Sequence, residues 1–172
     1  MSVLDVIKAR RSIRKYKPSP VEDDKLMLVL EAGRLAPAAN NAQEWKFIVV
    51  RDPEIIKKLV PACGGQSFIA DAPVILVICA TGDARAMYCG QLASTVDCSI
   101  ALSYMVLEAA ELGLGTCWLG YFSSDKVKRV LDIPDGNTVV AVAPLGYPDE
   151  APMPRPRKGI SQVVAYDGWN RP

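Results

Sequence analysis

Arg10, Ser12 and Arg14 alternate along the run Arg10-Arg11-Ser12-Ile13-Arg14, at the head of a basic stretch that continues through Lys15-Tyr16-Lys17. In an extended segment alternate residues share a face, so Ser12 and Arg14 would stand opposite the apolar Ile13. Two guanidinium groups and a hydroxyl converging in this way suit an anion, because the guanidinium fork matches phosphate oxygens two at a time. The competing reading is a solvated basic helix end, favoured by the helix dipole. The residues alone leave both readings open. A second run, Ala36-Pro37-Ala38-Ala39-Asn40-Asn41-Ala42-Gln43-Glu44-Trp45, changes from small residues and amides to the β-type stretch Trp45–Val50. Read plainly, it is a loop feeding a strand. Read chemically, its small residues let a flat ligand approach the backbone while Asn41 and Gln43 offer amide donors and acceptors.

What the chain lacks narrows the chemistry further. It contains no histidine, which removes Ser-His and Cys-His nucleophile pairs and every His-ligated metal site. Its 5 cysteines are odd in number and include no C-x-x-C pair, arguing against a disulfide framework, a zinc site and an iron–sulfur cluster. They are expected as small core residues, with Cys63, beside Gly64-Gly65, the one to test for thiol reactivity. Chemistry in this chain must use carboxylates, Lys, Tyr or Cys, or be carried by a cofactor. A net charge of +1 gives no electrostatic case for nucleic acid or an anionic membrane. No apolar run reaches the roughly 20 residues of a membrane span. The N-terminus lacks a basic-then-apolar leader, so a cytoplasmic location is expected.

The elements that would position these residues follow from periodicity and caps. At 172 residues with 50% hydrophobic and 23% charged content, the whole chain is expected to form one globular domain. Ser2-Val3-Leu4-Asp5 resembles a capping box opening a short helix to about Arg10, with Val3, Leu4, Ile7 and Val6 as candidates for its apolar face. Ser19-Pro20-Val21-Glu22 predicts a helix start with Ser19 as N-cap and Pro20 at the first position, running to about Leu35 with Leu26, Val29, Leu30 and Gly33 as candidates for its buried side. Asp52-Pro53 predicts a helix to about Val60, closed by Pro61. Val74–Cys79 reads as a central strand buried on both faces. From Tyr88 to Leu112 runs the longest helical pattern, nearly apolar until Glu108, which predicts burial and a homodimer with this helix near the interface. Gly113-Leu114-Gly115-Thr116-Cys117-Trp118-Leu119-Gly120 follows a helix, not a strand, so it is not a dinucleotide fingerprint. Ser124-Asp125 opens a short helix, and Thr138–Val142 reads as another strand closed by Pro144-Leu145-Gly146. The late apolar residues Val163, Val164, Tyr166 and Trp169 predict that the tail packs on the body or on a partner.

Taken together, the R-x-S-x-R at 10–14, the N-x-Q-x-W at 41–45, the run 113–120 and the basic pair Arg157-Lys158 resemble the nitroreductase family, across the chain and in family order. The resemblance implies an α+β fold, a central mixed or antiparallel sheet flanked by helices, assembled as an intertwined homodimer with FMN at the subunit interface. By matching position, Arg10, Arg11, Ser12 and Arg14 would hold the FMN phosphate, ribityl chain and pyrimidine edge. Pro37, Ala38, Ala39, Asn41 and Gln43 would approach the flavin, some of them from the other subunit. Leu119 and Gly120 would lie by the isoalloxazine ring, and Arg157 and Lys158 would return to the phosphate. The implied activity is ping-pong hydride transfer from NADH or NADPH through flavin N5 to an electron-poor acceptor such as a nitroaromatic or quinone. A protein without histidine suits such chemistry, because the cofactor carries the hydride. The same fold also accommodates dehalogenation, enone reduction, flavin destruction or non-enzymatic flavin binding. Two departures stand out: Ala38 and Ala39 occupy positions where the family often has Ser, and Glu44 stands where Pro usually precedes the Trp.

Overall fold

The computed structural model describes residues 2–82 and 85–169. Its centre is β2 (Val74–Ala80), buried at every position, as expected for a strand covered on both faces. It pairs antiparallel with β1 (Trp45–Val50) on one side and with β4 (Thr138–Gly146) on the other. A two-residue strand, β3 (Gly115–Thr116), completes the order β1-β2-β4-β3. All these strand pairs are antiparallel, so the sheet takes the antiparallel form of the α+β expectation.

Because side chains alternate across a strand, β2 divides the core in two. Val74, Leu76, Ile78 and Ala80 pack with Leu26 and Val29 of α2 (Asp23–Arg34) and Cys98, Leu102 and Met105 of α4 (Ala93–Glu111). Ile75, Val77 and Cys79 face the other way, against Ile56 and Leu59 of α3 (Pro53–Ala62) and Val127 of α5 (Ser124–Val130). Ile13, Tyr16, Cys117 and Leu119 join this second cluster, so the core itself sets the positions of two candidate site segments.

Several boundaries move from their sequence expectations, each for a local reason. α1 (Val3–Ala9) opens with the expected capping box, but Val6 is its buried residue, while Val3, Leu4 and Ile7 are 72%, 56% and 49% exposed. α2 starts at Asp23 with Glu22 in the N-cap position and without a side-chain cap bond. Val21 is drawn into the core, and the Glu22 carboxylate accepts from the Tyr147 hydroxyl at 2.7 Å instead of folding back. Pro61 lies inside α3 rather than ending it; so near the C-terminus it removes one bond of the last turn. The long helix begins at Ala93, not Tyr88. Gly90 at φ 84 and a turn closed by Met87 N–H on Gln91 O (2.8 Å) break the pattern before it. Nor is α4 buried all round: Ser103 and Tyr104 are exposed. β4 runs on through Pro144, which stays opposite Ile75 in the ladder.

Candidate functional site

The segment 10–14 is built against β3. Ser12 bridges Thr116 in parallel fashion, and Ile13 N–H donates to Thr116 O at 2.9 Å. Ile13 is buried and Arg14 exposed, the alternation expected of an extended segment. Tyr16 donates its hydroxyl to Ile13 O at 2.6 Å from within the core, and burial pushes its ionisation far above the ordinary phenol range. This run is therefore anchored from behind.

The charges of Arg14 and Arg10 both act on the Cys117 thiol. Burial raises the Cys117 thiol, and the Arg14 and Arg10 charges beside it pull it back down, with Glu150 opposing them. Both charges are thus felt at the residue that leads into Trp118-Leu119-Gly120. Leu119 is buried, with its N–H donating to Val142 O at 2.9 Å. Gly120 is exposed, and a Cβ built there meets nothing within 4 Å, so open space adjoins the backbone there. Glu150 returns from the end of β4 to accept the Arg14 backbone N–H.

Arg11 is placed differently. Its Nη1 donates to the carbonyls of Lys8, Ala9 and Arg10 at 2.6, 3.1 and 2.9 Å. These are the orphan acceptors at the end of α1, and the charge lies where the helix dipole favours it.

The loop between α2 and β1 is a 3-10 turn (Ala39–Asn41) with unusual backbone. Asn40, Asn41 and Gln43 have φ of 55, 55 and 53°, a region that non-glycine residues visit uncommonly, Asn more readily than most. Pro37, Asn41 and Gln43 are exposed, Ala38 and Ala39 half-buried. Gln43 Nε2 donates to Asn41 O at 3.2 Å. The turn is tied to the body by Ala39 N–H, which donates to Asp97 Oδ2 at 3.0 Å. The sequence motifs do not single out Asp97. Its signal is there nonetheless, a lone carboxylate in a helix that carries no other Asp or Glu before Glu108.

Within one protomer the loop and the basic segment lie at opposite ends of α4. Asp97 sits near its start, and Thr116, the partner of Ser12, follows its end. At 1.5 Å per residue, Asp97 and Leu112 are about 22 Å apart along the axis. Arg157 and Lys158 are exposed in a tail that is solvent-facing from Met153 to Trp169, so the tail does not bury its apolar residues on its own body.

Cys63, singled out as the cysteine to test for reactivity, has the surroundings of a core residue. It is fully buried, and burial pushes its thiol up to about 11. Cys79 and Cys98 are raised by burial to about 11 and about 12. Cys89 is the exposed cysteine. Among the described residues no acidic or sulfur cluster suited to a metal is present, and no helix is long and apolar enough to cross a membrane.

Comparison with known proteins places this geometry. The nitroreductase family model matches residues 7–68 and 61–147. The chain is 35% identical over 159 residues to a Methanothermobacter thermautotrophicus protein named as a putative NADH dehydrogenase/NAD(P)H nitroreductase, covering 90% of this chain and 82% of that one. It is 30% identical over 173 residues to the FMN reductase [NAD(P)H] of Bacillus subtilis, covering 89% and 70%. A nitroreductase family protein from Clostridium difficile superposes with a TM-score of 0.89 at 31% identity, over 98% of this chain and 100% of that one. Motif order, fold and these matches agree, and the chain belongs to the nitroreductase family.

Proposed function

We propose that the protein is an NAD(P)H-dependent FMN oxidoreductase of nitroreductase type that acts as a homodimer with shared sites. The carrying observation is the docking of the basic segment on β3, with Ile13 N–H on Thr116 O at 2.9 Å, just ahead of the open backbone at Gly120. The donor set fits the cofactor: two guanidinium groups and a hydroxyl for phosphate and ribityl oxygens, and an uncrowded glycine for a planar ring. When bound, FMN supplies acceptance of a hydride from NADH or NADPH and its return to an electron-poor acceptor, a nitroaromatic or quinone. Everything else falls to the chain. Arg10 and Ser12 hold the phosphoryl end, and Arg14 reaches toward the pyrimidine edge. Leu119 and Gly120 border the ring. Arg11 is engaged in closing α1, and we assign it to holding that helix end.

The loop residues Pro37, Ala38, Ala39, Asn41 and Gln43 are assigned to the flavin of the other copy. About 22 Å of α4 separates a protomer's loop from its own basic segment, so a second copy best supplies the missing wall. Other features favour that assembly. Val3, Leu4, Ile7, Leu35 and Tyr104 are exposed on or beside the helical face. Ser99 and Ser103 turn their hydroxyls back to Thr95 O and Ser99 O at 2.7 and 2.8 Å, leaving a shallow polar-satisfied surface that another helix can approach. The tail, with Ile160, Val163, Tyr166 and Trp169 exposed, is assigned to the partner's surface, carrying Arg157 and Lys158 to its phosphate site.

Steady-state assays with NADH and NADPH, each paired with a nitroaromatic and a quinone, test the reading. It requires acceptor-dependent oxidation of the nicotinamide with the parallel initial-rate lines of ping-pong kinetics. Tight FMN binding without any reduction by either nicotinamide would instead establish a non-enzymatic flavin protein.

A further inference from the structure

Asp97 is a carboxylate in the buried half of α4, 4% exposed. A charge in such a place persists only where hydrogen bonds replace its lost solvation. Its bond runs to a turn distant in sequence, with Ala39 N–H donating to Oδ2 at 3.0 Å across 58 residues. The same peptide unit is held at its other end, where the Ala38 carbonyl accepts Asn41 N–H at 2.9 Å. One peptide plane is thus pinned on both sides. Donation to a carboxylate polarises that peptide and strengthens its carbonyl as an acceptor, so the two bonds reinforce one another.

The residues that follow need such support. Asn40, Asn41 and Gln43 all hold φ between 53 and 55°, a conformation that persists where the surroundings over-determine it. The turn's other bonds are local: Ala42 N–H to Ala39 O at 3.1 Å, and the exposed Gln43 amide to Asn41 O. Asp97 is what joins the turn to the helix.

We propose that Asp97 is a positioning residue for the flavin reaction: its bond to Ala39 fixes the Ala38–Ala39 peptide, and through it the left-handed run that presents Asn41 and Gln43 to the flavin. The proposal rests on the assignment of that loop to the flavin edge. Its consequence is that a helix residue remote from the exposed amides sets FMN affinity and the spectrum of the bound flavin.

Two substitutions break the bond from opposite ends. Asp97→Ala removes the acceptor. Ala39→Pro removes the donor and suits the backbone, because Ala38 is already extended at ψ 150° and Pro is favoured at a first helical position. Each is expected to raise the FMN dissociation constant about tenfold and to alter the visible band shape of the flavin that remains bound. Asp97→Asn, which keeps an oxygen acceptor, restores both readouts. Ser94→Ala, at a neighbouring buried polar residue of the same helix, lowers stability without changing either. The Asp97→Ala, Ala39→Pro double variant loses no more than one single variant, because both remove one interaction. Amide exchange at residues 38–43 of the cofactor-free protein provides an independent reading, fast in the Ala and Pro variants and slow in the Asn variant. Wild-type affinity and spectrum in Asp97→Ala, or full additivity in the double variant, would overturn the proposal. If Asp97→Ala does not fold, the Ala39→Pro comparison decides alone. A wild-type chain that binds no FMN, together with faster exchange in the variants, would defeat the flavin assignment while leaving the tether in place.

Discussion

At the residue scale, side chains of one type meet sharply different surroundings. Arg10, Arg11 and Arg14 lie within five positions, yet Arg11 is engaged with three backbone carbonyls while the charges of the other two act on the Cys117 thiol. Replacing Arg10 and Arg14 together by Ala should therefore weaken FMN binding at least tenfold, roughly the scale of one charge-assisted contact, without lowering the melting temperature much. Arg11→Ala should do the reverse, chiefly destabilising α1. Isothermal titration and thermal melts separate these outcomes. The cysteines give a pH prediction. Cys63 and Cys79 titrate near 11 in the fold against an ordinary 9.0. Between these values the unfolded chain releases thiol protons that the folded chain keeps, so unfolding is favoured as pH rises. Stability should fall from about pH 9 to about pH 11, and replacing Cys63 with Ala should flatten that decline. At about pH 8 a thiol reagent should label the exposed Cys89 quickly and Cys63, Cys79, Cys98 and Cys117 only on unfolding.

At the scale of elements, what is legible in the sequence and what is not has a physical pattern. β1 is readable because its apolar β-type run is bounded by a loop on one side and Asp52-Pro53 on the other. β2 is readable because a strand covered on both faces carries an unbroken apolar run. The starts of α2 and α4 are not. Ser19-Pro20 carries a good cap signature, but core burial of Val21 and the Glu22–Tyr147 bond move the start, a tertiary override of local preference. Gly90 lies within a run of helix-compatible residues, and only its left-handed φ shows why the helix waits until Ala93. β3 is two residues long, too short for any alternation to register, yet it carries the basic segment. Its dependence on Gly115 can be tested. A Cβ there would lie 2.6 Å from Ile13 Cγ1 and 2.8 Å from Ile13 Cβ, and a branched side chain held in the core cannot easily withdraw. Gly115→Ala should cost about 1–3 kcal/mol and, by displacing Ile13 between Ser12 and Arg14, weaken FMN binding as well. A denaturant melt and a flavin titration on one sample check both effects.

At the scale of the whole molecule, the candidate site residues are legible as a set but not as a place. The motifs give candidates and their order, while the length of α4 between Asp97 and Leu112, about 22 Å, is what the proposed sharing of the site between two copies rests on. Exposed apolar side chains on α1 and along the tail fit a protein whose surface is finished by a second copy. Deleting residues 153–172 should accordingly weaken the dimer and lower FMN content together, and light scattering with flavin absorbance measures both. A truncated chain that stays dimeric and fully loaded would remove the tail from the site. Whether this chain holds FMN and passes reducing equivalents through it is decided by the visible spectrum of the purified protein, before and after NADH or NADPH is added without oxygen. The expected result is a yellow protein whose flavin band bleaches on addition and returns when a nitroaromatic or quinone follows. A colourless protein that takes up no FMN, or a yellow one that neither nicotinamide bleaches, would contradict it.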